Sequence, residues 1–88
     1  MHAVIVDVSI NELAAARREL TERIIPMASQ APGFVAGYWL AAGEDKGHSI
    51  VVFESEQDAQ AVADGVRANP RSAVTMDRVE VAEVVASA

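Results

Sequence analysis

Asp7 is the one carboxylate in the apolar run Ala3-Val4-Ile5-Val6-Asp7-Val8. A carboxyl group enclosed in an apolar site has its pKa raised, which suits it to take and return a proton near neutral pH. Tyr38 and Trp39 stand side by side, and Phe53 follows later in the chain. Such rings hold a flat ligand by stacking, and the phenol and indole each add a polar handle. His48 contributes an imidazole, a base or ligand near neutrality. Asp7 is therefore the candidate catalytic base, and Tyr38, Trp39, Phe53 and His48 are the candidate pocket residues. Each also has a plainer reading. Asp7 at a strand end is solvated or bonded to a backbone amide. Tyr38 and Trp39 are packing or subunit-contact residues, and neighbours on a strand point to opposite faces, so at most one lines a pocket. Phe53 is core, and His48 follows a turn where side chains are usually exposed.

The remaining polar residues offer less. His2 is terminal and solvated. Arg67 and Arg71 flank the end of the second helix, where they hold an anionic group or, more plainly, oppose the helix's negative end. No Ser-His-Asp spacing, phosphate-binding loop, dinucleotide fingerprint or CxxC is present. Ser9, Ser49, Ser55 and Thr75 show no sign of activation.

Composition narrows the function classes. The 88 residues carry 13 acidic and 7 basic side chains, a formal charge of −6 that repels phosphate backbones and anionic lipid. Nucleic acid and membrane are therefore not expected partners. No apolar run reaches the ~18 residues of a membrane span. The start, Met1-His2-Ala3-Val4, lacks the basic region of a signal peptide, so a cytoplasmic location is expected. With no cysteine and two histidines, neither disulfides nor a metal site nor another cofactor is expected. Yet 51% of residues are hydrophobic and mean hydropathy is +0.17, more apolar surface than one small core needs. A two-fold homodimer is the simplest outlet.

The elements that position these residues follow from periodicity. Residues 3–8 alternate as a strand, with Val4, Val6 and Val8 on one face. Ser9 and Glu12 fit a capping box, with Asn11 an alternative cap. A helix then runs to about Gln30, with Leu13, Ala16, Leu20, Ile24, Met27 and Ala31 on one face and Arg17, Arg18, Glu19, Glu22 and Arg23 toward water. Pro26 inside it predicts a kink near residues 22–26. Pro32-Gly33 ends the helix. The strand 34–42 places Phe34, Ala36, Tyr38 and Leu40 on one side and Val35, Gly37, Trp39 and Ala41 on the other, with Gly37 marking a bulge or close approach. Gly43–Gly47 makes a hairpin turn into a strand at 48–54. Ser55 caps a second helix, with Asp58 three residues on, and Asn69-Pro70 stops it. Residues 70–74 connect to a strand at 75–85, with Val79, Val81 and Val85 on one side and Met76, Ala82 and Val84 on the other.

The order β-α-β-β-α-β predicts one α+β domain over residues 1–88. It is ferredoxin-like, with a four-stranded antiparallel sheet and both helices on one face. The other sheet face stays apolar, and packing it on a second copy would cover it.

At Pro32-Gly33-Phe34 through Leu40, and again at Val51-Val52-Phe53-Glu54-Ser55-Glu56-Gln57-Asp58-Ala59, the chain resembles the antibiotic biosynthesis monooxygenase-like family of dimeric α+β barrels. The resemblance implies a sheet-to-sheet dimeric barrel and a small apolar or aromatic ligand. In its enzymatic form it implies a cofactor-independent monooxygenase acting on a small aromatic or quinol-like molecule. Asp7 would then be the base, with Tyr38 or Trp39 and Phe53 as walls. The alternative is a non-catalytic ligand-binding or assembly module, and the sequence leaves enzyme and module open. The family's haem-degrading branch has an asparagine on the first strand, a tryptophan ending the third and a histidine on the second helix. Here the corresponding positions are Asp7, Phe53 and a helix without histidine, which disfavours haem degradation.

Overall fold

A computed structural model describes residues 1–69 and 73–88. Its elements are β1 (His2–Ile10), α1 (Leu13–Glu19), a π-helical turn (Leu20–Ile24), α2 (Ile25–Ser29), β2 (Phe34–Ala42), β3 (Lys46–Phe53), α3 (Glu56–Ala68) and β4 (Val74–Glu83). The four strands form one antiparallel sheet in the order β2-β3-β1-β4. This is the ferredoxin-like arrangement expected from the element order. The expected stop at Pro70 and the position of Arg71 lie outside the described residues.

The core forms where α3 meets the central strands. Val4, Val51 and Phe53 pack with Ala59 and Ala63, all buried. Two alanines one helical turn apart let α3 approach the sheet closely. Ser55 caps α3 as expected, its hydroxyl accepting from the Asp58 amide at 3.1 Å.

The first helix differs. Ser9 does not cap it. Pairing of Ser9 with Thr75 and Ile10 with Val74 extends β1 through Ile10, so the helix begins at Leu13 after an uncapped Glu12. The Pro26 disturbance takes the form of a π turn. The Ile25 amide donates to the Leu20 carbonyl, five residues back, immediately before the residue that has no amide hydrogen. No residue of α1, the π turn or α2 is fully buried.

The two sequence motifs of the resemblance meet in space. Gly33 has φ 77°, and its carbonyl accepts from the Glu54 amide at 2.9 Å. A side chain at Gly33 would also collide with the Asp58 carboxylate. Glycine is thus required both by the left-handed backbone and by the space.

Two β-bulges change which side chains share a face. In β2 the register passes from Phe34 opposite Phe53 to Ala36 opposite Val52, leaving Val35 as the extra residue. Phe34 therefore does not share the Tyr38 face. It turns to the core, where its ring meets Phe53 edge to face at 6.3 Å between centroids. In β4 the register passes from Arg78 opposite Asp7 to Met76 opposite Val8, leaving Asp77 extra. Met76 consequently joins Val79 and Val81 on the helix-covered face rather than opposing them.

Candidate functional site

The first helix stands off the sheet and leaves a cavity of about 470 Å³. Its floor is Val4, Val6 and Val8 of β1, Trp39 of β2, Ser49 and Val51 of β3, and Met76 of β4. Its roof is Leu13, Ala16, Leu20, Ile24 and Ala28, with Val62 and Val66 of α3 closing one side. The spacing of the roof residues is that of one helix face, and the floor follows from strand alternation. The indole of Trp39 lies along its own strand over Gly37. A Cβ there would come within 2.7 Å of the ring, so the glycine makes room for it. The expected close approach at Gly37 is the indole itself.

The polar groups on this wall are few: Arg17, Thr21, Ser49 and the indole N–H, with His48 at its border. Thr21 donates its hydroxyl hydrogen to the Arg17 carbonyl at 3.1 Å. No carboxylate borders the cavity among the described residues.

Asp7 lies on the opposite, open face of the sheet. Its Oδ1 is 2.7 Å from Nδ1 of His48, and its Oδ2 is 3.2 Å from Nε of Arg78, which also reaches Glu80 at 3.5 Å. The partners follow from register, since Asp7 sits between His48 and Arg78 on the neighbouring strands. The hydrogen bond to His48 and the nearby Arg78 charge hold the Asp7 carboxyl below its ordinary value of 3.8, against a smaller opposing effect of burial. The expected pKa rise in a closed apolar pocket is therefore corrected in both direction and place. A second polar group on β1 and its neighbours joins Ser9, Asp77 and Lys46. Ser9 donates to Asp77 at 2.6 Å and accepts from Lys46 at 2.7 Å.

Of the other residues singled out from sequence, Trp39 enters the cavity wall. Tyr38 is on the open face and 62% exposed. Phe53 is fully buried in the core and does not border the cavity. His48 borders the cavity, but its imidazole is held by Asp7. His2 lies 3.5 Å from Glu56 rather than free in solvent. Arg67 donates to the Val79 carbonyl at 2.9 Å, tying α3 to β4, and reaches Asp64 at 3.5 Å. Arg17 is exposed, as its charge leads one to expect, and it also borders the cavity. The signal that could have found it is its spacing, four residues after Leu13 and three before Leu20, on the border of the apolar stripe.

Three solved structures resemble this fold along nearly the full chain. SnoaB, a cofactor-independent oxygenase from Streptomyces nogalater, has a TM-score of 0.70 at 13% identity, covering 98% of this chain and 94% of its own. A protein of unknown function from Nitrosomonas europaea has a TM-score of 0.73 at 22% identity, covering 99% and 91%. The haem degrader MhuD from Mycobacterium tuberculosis, with two haems in its active site, has a TM-score of 0.56 at 25% identity, covering 97% and 98%. No protein-family model matches the chain, and no curated protein matches it in sequence. The resemblance to the antibiotic biosynthesis monooxygenase-like family thus holds at the level of the fold, and the cavity lies between that fold's first helix and its sheet.

Haem can be tested against the residues. α3 contains no histidine, and His48, the strand partner of Asp7, places its imidazole with that carboxylate on the open face of the sheet. The position matched to the branch's asparagine, Asp7, faces away from the cavity, and that matched to its tryptophan, Phe53, is sealed in the core. The described residues do not fit a haem held by an axial histidine.

Proposed function

We propose that the protein binds a small ring-bearing molecule between its first helix and its sheet. In line with SnoaB, it would act as a cofactor-independent monooxygenase on an aromatic or quinol-like substrate. The observation that carries this is the cavity: about 470 Å³ walled by aliphatic side chains and one indole. In such a reaction the substrate supplies the electrons. A ring CH₂ becomes a C=O, one atom of O₂ enters the substrate, and the other leaves as water with the two hydrogens. The chain would exclude water, stack the ring on Trp39 and fix its orientation. The role of base does not pass to Asp7, which lies across the sheet. The substrate that suits this wall is one that has already lost its proton to solvent.

Anthrone, a simple tricyclic substrate, tests the reaction in an oxygen electrode with no flavin and with a metal chelator. The expected result is protein-dependent uptake of one O₂ per anthrone oxidised, lost when Ala28→Phe fills the cavity. Ring binding without uptake would favour the second reading, a non-catalytic binding module. That reading has its own support: no carboxylate borders the cavity among the described residues, and the His48 imidazole lies with Asp7 on the open face.

The open face also supports a homodimer. Tyr38, Leu40 and Ile50 are 62%, 51% and 40% exposed side by side on adjacent strands. A contiguous apolar face of this kind is costly in water and suits a self-complementary contact. Light scattering should give about twice the chain mass of 9.3 kDa.

A further inference from the structure

The wall of the cavity carries one guanidinium, that of Arg17. Among the described residues it makes no ion pair and no side-chain hydrogen bond. On the strands and α3 the cations hold anions: Arg78 holds Asp7 and Glu80, Arg67 holds Asp64, and Lys46 holds Asp77. The helical neighbours of Arg17 at three and four residues are Leu13, Ala14, Leu20 and Thr21, so no acid stands within reach on its own helix. Arg18 and Arg23 make no ion pair among the described residues either, and all three arginines are exposed, but of the three only Arg17 borders the cavity. The anion nearest the cavity floor in sequence, Asp7, is turned to the other face and neutralised there.

From this we infer that the cavity takes a ring-bearing organic anion, its apolar body against Trp39 and the valine floor and its carboxylate, sulfonate or phenolate at Arg17. The inference rests on the ring-binding reading above and adds the sign of the ligand. A guanidinium beside an apolar wall is well suited to the role. It is weakly hydrated, permanently charged, and offers paired donors to a planar anion. Because Arg17 is exposed, its attraction for an anion is modest and salt-dependent, which the test below uses. The formal charge of −6 makes the rest of the surface unattractive to anions, so an anionic ligand has little to gain elsewhere.

A matched pair of probes separates charge from shape: anilinonaphthalene sulfonate, and the neutral phenylnaphthylamine that lacks the sulfonate. Both are titrated into the ¹⁵N-labelled protein while the indole N–H resonance is followed. There is one tryptophan, so that resonance is single, and it reports the covered face. The sulfonate should bind about tenfold more tightly at low salt, and the advantage should shrink as salt is raised. Arg17→Gln should remove the advantage and leave the neutral probe's affinity unchanged. Arg17→Lys, a point charge without the planar fork, should restore part of it. Equal binding of the two probes to the native protein, or an advantage that survives in Arg17→Gln, overturns the inference and leaves the ring-binding reading standing. A resonance that neither probe moves overturns both.

Discussion

The two faces of the sheet handle charge in opposite ways. The open face gathers it and neutralises it: Asp7 lies between His48 and Arg78, and Lys46 reaches Asp77 beside Ser9. The covered face excludes carboxylates among the described residues and leaves one cation, Arg17, at the edge of an apolar cavity. A sheet is only one residue thick, and alternation sends neighbouring residues to opposite sides. Val6, Asp7 and Val8 therefore place a dry floor and an ion network back to back. An acidic residue in an apolar strand can complete a network on the outer face without serving the inner one.

The largest expected effect separates the faces by stability. Phe53→Ala, beneath the covered face, should cost about 3–5 kcal/mol, as expected for emptying a fully buried aromatic site. Denaturant unfolding measures this. An equal loss from Ile50→Ala on the open face would mean that both faces are equally buried in solution and would break the contrast. Next in size is the oligomer. Ile50→Lys puts a charge on the exposed apolar face and should convert a dimer to a species near 9.3 kDa by light scattering. Probe binding at Trp39 should survive if the two faces work independently.

The smallest effect is on pH dependence. The Asp7 carboxyl is depressed in the folded chain, so its contribution to stability is fully present above 3.8, its ordinary value, and is lost as pH falls through the lower folded value. Asp7→Asn should therefore lower stability at neutral pH and flatten the acid limb of the curve. Thermal melts between roughly pH 2 and 6 check this. A variant whose acid limb matches that of the native chain would show that the open-face network contributes nothing to folding.

Much of the architecture was legible because several local signals agreed. Ser55 before an apolar helical stripe, glycine after Pro32, and the spacing of turns fixed the element order and the ferredoxin-like arrangement. The resemblance was legible in two short segments because those segments touch, Gly33 to Glu54 and Asp58. The bulges were not legible. Val35 and Asp77 are ordinary residues in strand-like runs, and one extra residue inverts every assignment on its far side. Phe34 and Met76 were misplaced for that reason. Ser9 looked like a cap because its type favours one, but strand pairing used its hydroxyl for Asp77 instead. At the site, Trp39 could be separated from Tyr38 but not assigned a side, since both faces of β2 are apolar. Arg17 is exposed as its charge suggests, and only its spacing along the stripe points to the cavity it also borders.

The first helix has no fully buried residue, while α3 and the central strands hold the core. Folding and selectivity are thereby assigned to different parts of one small chain. Ala16, Leu20 and Ile24, none of them packed on the core, can be exchanged for larger or smaller side chains that reshape the cavity's ceiling while the packing of Val4, Val51, Phe53, Ala59 and Ala63 stays as it is. Relatives descended from this scaffold can therefore diverge in what they accept at little risk to whether they fold.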